Sequence, residues 1–154
     1  MNHLVGSGCG RLEYRSTSVR AAECGKMILG IGVDLAEVPR IRRSIEQYGP
    51  RFLNRVFTPA EIAYASSKAN AAERFAARFA AKEASMKAIG TGWSRGVHWT
   101  DFEVSNQPGG RPLLLLHGVA RTIADGLGVL RTSISLTHTA SIAFAIVILE
   151  DGGH

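Results

Sequence analysis

The sequence predicts an α+β domain, an antiparallel sheet packed on one long helix, and three stretches carry that prediction. MILGIGVDL at 27–35 reads as a buried strand, and AAERFAARFAAKEASMKAIG at 71–90 is a continuous helix pattern closed by a glycine. The chain then ends on two strand-like runs, TSISLTHTA and SIAFAIVILE, joined by a turn near His138. With 154 residues, 45% of them apolar and 20% charged, the chain has enough material for one domain with its own core. That excludes wholesale disorder and collagen-like repetition. The longest uncharged apolar runs, LLLL at 113–116 and the stretch 142–149, fall short of the ~20 residues of a membrane helix, so no membrane partner is expected.

The first 26 residues read differently from the rest. They are rich in Gly, Ser and Arg, show neither periodicity, lack the apolar core of a signal peptide, and contain both cysteines, Cys9 and Cys24. The expectation is a disordered leader at 1–26, read from an upstream start codon or added in expression, followed by a domain at 27–154. A cysteine-free domain carries no disulfide and no thiolate nucleophile, which fits a reducing compartment.

In the first strand Leu29, Ile31 and Val33 share one face, while Ile28, Gly30, Gly32 and Asp34 share the other. Bare glycine backbone beside a carboxylate suits the close approach of a ligand or a neighbouring chain. Asp34 also reads as a helix cap in a D-L-A-E box with Glu37, although Pro39 would then fall inside the helix. A helix is expected from about Pro39 to Tyr48, stopped by Gly49 and Pro50. Between Ala36 and Phe57 five arginines, Arg40, Arg42, Arg43, Arg51 and Arg55, face only Glu37 and Glu46. Such a segment is either a solvated charged face or a landing surface for an acidic partner.

FTPAEI at 57–62 is a helix start: Thr58 caps, Pro59 takes the first position, Glu61 closes the box and Phe57 can staple to Ile62. In the long helix Phe75, Phe79 and Met86 fall on one side at ~100° per residue, which leaves Glu83 at the border of the buried stripe. Arg74, Arg78 and Lys82 form a row four residues apart, and Lys87 lies one turn beyond Glu83. Glu83 and Lys87 read as an ordinary helix ion pair, or as the hard oxygen ligand and counter-charge of a magnesium and phosphate site. Two short strands are expected about a turn at 107–111, then a helix from Gly118 to about Leu127. His138, at the tip of the last hairpin among Thr137, Thr139 and Ser141, is either a surface residue or part of a site. No zinc spacing, nucleophile elbow, P-loop or internal repeat is present in the sequence.

Taken in order, GIGVDL, RFAARFAAKEASMKAIGTG, GGRPLLLLHG and SISLTHTASIAFAIVILE resemble the motifs of bacterial holo-[acyl-carrier-protein] synthases, the small trimeric 4'-phosphopantetheinyl transferases. The resemblance spans 27–150. It implies the phosphopantetheinyl transferase fold, a cytoplasmic homotrimer with active sites between subunits, and a place in fatty acid biosynthesis. The implied reaction moves phosphopantetheine from coenzyme A to a serine of apo-acyl carrier protein and releases adenosine 3',5'-bisphosphate. By the same resemblance Asp34 and Glu83 hold Mg2+, Lys87 contacts phosphate, and Arg78 and Lys82 support coenzyme A phosphates. Thr137 and His138 border the nucleotide, while Arg40, Arg51 and Arg55 receive the carrier protein. Glu83 and a metal-bound water both stand as the general base. Ser133 departs from the family, which often has histidine there, and Thr137 replaces a serine but keeps the hydroxyl.

A second class of reading is a non-catalytic basic module for nucleic acid or another polyanion. Against it stand an aromatic content of 7%, the lack of a groove-reading motif, and two carboxylates that repel phosphate unless a metal intervenes. A third is a family-like scaffold without activity, supported by Ser133 alone.

Overall fold

The computed structural model describes residues 28–152; the expected leader and both cysteines lie outside them. The α+β expectation holds. Strand β1 (Ile28–Glu37) leads into helices α1 (Val38–Tyr48), α2 (Pro50–Val56), α3 (Pro59–Ser66) and the long α4 (Ala71–Ala88). A short 3-10 turn at Trp99–Asp101 precedes β2 (Phe102–Asn106), β3 (Pro112–Leu116), α5 (Gly118–Gly126), β4 (Arg131–His138) and β5 (Ile142–Glu150). Strands β1, β5 and β4 form one antiparallel sheet in that order, and β2 pairs with β3 as a separate hairpin. Helix α4 lies against the sheet, and its alanines, Ala76, Ala77, Ala80, Ala81 and Ala84, are buried.

The glycines of β1 make that packing close. A Cβ on Gly32 would overlap the carbonyl oxygen of Ala84, and one on Gly30 would overlap that of Ala88. The close approach expected at these positions is therefore made by a helix of the same chain. With backbone against backbone, the strand's glycine and aspartate face is the covered one. Its apolar face is the open one: Ile31, Val33 and Leu35 are 54%, 40% and 63% exposed. This corrects the reading of β1 as a buried strand.

The local signals explain most boundaries. Asp34 caps nothing; Glu37 is the N-cap position of α1, and Pro39 sits in the first turn, where a missing N–H costs nothing. Gly49 ends α1 at φ 50°, and Pro50 then opens α2, a helix that the sequence reading did not foresee. The box at α3 is complete: Glu61 N–H donates to Thr58 Oγ1 at 3.3 Å, and Thr58 N–H donates to Glu61 Oε2 at 2.9 Å.

Candidate active site

Backbone contact between β1 and α4 brings together side chains 49 positions apart in the sequence, Asp34 and Glu83. Lys87 Nζ donates to Asp34 Oδ1 at 2.8 Å and to the Val33 carbonyl at 3.0 Å. The pair expected within the helix, Glu83 with Lys87, thus gives way to one between helix and strand. Burial raises the pKa of Glu83, the charge on Asp34 raises it further, and Lys87 and Arg40 pull it back down. Asp34, Glu83, Lys87 and Arg40 therefore share one electrostatic site. Two hard carboxylates with a neighbouring ammonium suit Mg2+, which takes one or two carboxylates and completes its shell with water and substrate phosphates. Among the described residues no three His, Cys, Asp or Glu side chains gather around one point, so further ligands for such an ion would be water or substrate oxygens.

A second cluster lies on another flank of α4. Arg78, Thr137 and His138 line a cavity of about 280 Å³ together with Tyr64, Arg74 and Asn106. A terminal nitrogen of Arg78 donates to Asn106 Oδ1 at 2.8 Å, and its guanidinium sits 4.2 Å over the Tyr64 ring. His138 Nδ1 is 3.0 Å from Glu73 Oε2 but lacks hydrogen-bond alignment. Arg74, Tyr64 and Asn106 were not expected from the sequence. Arg74 was visible only as the first member of the basic row, and the other two come from distant elements.

Lys82 is a correction. Its side chain is wholly buried, paired with Glu61 Oε2 at 2.8 Å, and its Nζ also donates to the carbonyls of Trp99 (3.0 Å) and Phe102. Those three acceptors use every proton of the ammonium, and none is left for coenzyme A. The reason is geometric. Steps of four residues advance ~40° around a helix, so the row spirals inward. Arg74 remains partly exposed, Arg78 is buried, and Lys82 is enclosed.

The third group lies on the surface. Arg40 on α1 and Arg51 and Arg55 on α2 are exposed. Arg51 and Arg55 rim an apolar cavity of about 620 Å³ whose walls include Tyr48, Phe52, Phe79, Trp93 and Trp99. The sequence reading missed this aromatic lining. Its one available signal was the pair of tryptophans after α4, and Phe79 had been assigned to the core.

Ser133, where the family often has histidine, donates to Glu150 Oε2 at 3.1 Å.

Comparison with known proteins gives a consistent picture. The profile described as the 4'-phosphopantetheinyl transferase superfamily matches residues 30–145. A holo-[acyl-carrier-protein] synthase of Solibacter usitatus is 63% identical over 125 residues, 81% of this chain and 100% of that protein. The crystal structure of the holo-[acyl-carrier-protein] synthase of Neisseria meningitidis superposes with a TM-score of 0.75 at 30% identity, covering 81% of this chain and 100% of that one. A Bacillus anthracis holo-(acyl-carrier-protein) synthase in complex with CoA (3',5'-ADP) superposes at 0.68 with 34% identity, covering 82% and 99%.

Proposed function

The chain belongs to the 4'-phosphopantetheinyl transferase superfamily and is an enzyme of the holo-[acyl-carrier-protein] synthase kind, and from that premise we propose how its own residues work. The donor is coenzyme A, the acceptor a serine of apo-acyl carrier protein, the product adenosine 3',5'-bisphosphate, and the setting cytoplasmic fatty acid biosynthesis. The observation that carries the mechanism is the cluster of Asp34, Glu83 and Lys87 at the contact of β1 with α4.

Asp34 and Glu83 would hold Mg2+, which when bound neutralises charge on the pyrophosphate oxygens. The serine hydroxyl attacks the phosphorus that carries pantetheine, the bond from that phosphorus to the bridging oxygen breaks, and the electron pair leaves with the nucleotide phosphate. Lys87, released from Asp34, donates to that departing phosphate. Glu83, or a water beside it, accepts the serine proton.

The assay is intact mass of apo-acyl carrier protein after incubation with coenzyme A and Mg2+. A phosphopantetheine adduct is expected, lost on addition of EDTA and nearly lost in Asp34→Ala or Glu83→Ala. Full transfer by both variants overturns the metal assignment. For the arginine surface, Arg51→Glu is expected to raise the KM for the carrier protein while leaving that for coenzyme A in place. An equal rise in both would refute docking there.

The outer face of the sheet supports a homotrimer. The register aligns Ile31, Ile148 and Ser133 in one row, Val33, Ile146 and Ser135 in the next, and Leu35, Phe144 and Thr137 in the third. An apolar strip of this size on an open sheet face calls for a covering partner. Arg78 and Glu83 lie ~140° apart around α4, so a donor that touches both a cationic pocket and a carboxylate pair is best served by two copies. Light scattering is expected to return the mass of three chains; a monomer that still transfers would exclude the shared site.

A further inference from the structure

Lys82 carries a charge that the transfer step does not use. Its enclosed ammonium serves the Glu61 carboxylate of α3 at 2.8 Å and the carbonyls of Trp99, at 3.0 Å, and Phe102, which bracket the 3-10 turn. A buried ion pair is a poor source of stability, because apolar side chains of similar volume often serve as well or better. What the three donors add is position: they fix where the turn sits on α4.

Trp99 opens that turn. Its ring packs on Phe79 of α4 with centroids 4.7 Å apart, and Trp93, itself 56% exposed, meets it edge-on at 4.1 Å. Phe79 and Lys82 stand three residues apart on one helix, so α4 grips Trp99 twice, at the ring and at the main chain. All three rings wall the cavity of about 620 Å³ that Arg51 and Arg55 rim. Its lining holds two guanidinium groups, no carboxylate and mostly aromatic surface, which suits an apolar side chain presented on an acidic face.

We infer that Lys82 is a positioning residue for the carrier protein: through the main chain of Trp99 it holds the aromatic wall in the shape that takes an apolar side chain of the carrier between Arg51 and Arg55. This role rests on the docking reading of the arginine surface, and it gives the lysine of the A-A-K-E-A block to the acceptor rather than to coenzyme A. Preorganised walls lower the ordering cost of association, so loss of the tether weakens carrier binding even with every wall residue still present.

Lys82→Met alone leaves the Glu61 carboxylate stranded, so the test uses Glu61→Gln together with Lys82→Met, which removes the pair as a pair. The amide oxygen can still accept one of the two N–H groups that Glu61 serves. This double variant is expected to recover most of the stability that Lys82→Met loses, yet to show a KM for carrier protein about 10-fold above the wild type and an unchanged KM for coenzyme A. A folded double variant with the wild-type KM for carrier protein, or with both constants raised alike, overturns the inference while the docking reading stands. Should the double variant not fold, Lys82→Met at low temperature gives the same comparison. Trp99→Leu, which leaves the pair intact, should raise the KM for carrier protein as far, and adding it to either Lys82 variant should raise it no further; an unchanged KM, or fully additive effects, would sink the role. Trp93 and Trp99 are the chain's two tryptophans, so intrinsic fluorescence reads this wall directly. A tryptophan-free carrier protein should shift the wild-type emission, and no change at saturation counts against the inference. An Arg51→Glu variant that keeps its KM for carrier protein would instead sink the docking reading itself.

Discussion

Lys82→Met is expected to destabilise the fold by about 3–5 kcal/mol, the cost of leaving a buried carboxylate without its counter-ion. Glu61 and Lys82 are both closed to solvent, and their pair joins four parts of the chain. Glu61 caps α3, accepts the Val104 N–H at 2.9 Å and faces α4, while Lys82 ties down the carbonyls of Trp99 and Phe102. Burial lowers the pKa of Lys82, and Glu61 opposes that shift. Removing the ammonium strands one charge and takes a donor from two carbonyls at once. Urea unfolding reads the loss directly, and a denaturation midpoint close to the wild type would refute it. The folded fraction at low temperature should keep its KM for coenzyme A. A well-folded Lys82→Met with a raised KM would instead restore a phosphate contact for this residue.

Gly32→Ala is the second large effect. The added methyl meets the carbonyl of Ala84, which belongs to helix backbone and has no rotamer by which to retreat. Strand and helix must separate, opening the alanine-rich contact on both sides. Overpacking of a core costs about 1–3 kcal/mol where side chains can yield, and more is expected here. Transfer should fall further than stability does, because Asp34 and Glu83 move apart with the two elements. Comparison of the unfolding midpoint with transfer at saturating coenzyme A checks this; a variant of wild-type activity would show that the carboxylate spacing is not set at this contact.

Much of the fold was legible because local signals agreed with tertiary structure. The box of Thr58 and Glu61, the glycine stop after α4 and the alternation in the last two strands each depend on neighbours in sequence. Helix α2 was not legible, since Pro50 closes one helix and opens another with the same residue. The strand's buried face was misjudged for a related reason: hydrophobic alternation marks which face is apolar and does not say whether the cover comes from this chain or another. In the site, motif matching brought out Asp34, Glu83 and Lys87. It also swept in Lys82, whose direction depends on a 40° drift per step that a linear motif does not show. Arg74, Tyr64 and Asn106 could not be read, because three separate elements converge on their cavity.

Helix and strand meet at Gly30 and Gly32 with no side chain between them, and this bears on how the enzyme tolerates sequence drift. Where two elements pack through side chains, each conservative substitution resets their spacing by a few tenths of an ångström. Here the spacing is set by main-chain atoms, which mutation does not alter. The separation of the two carboxylates therefore rests first on the two positions that carry no side chain at all, and next on the buried alanines that flank them.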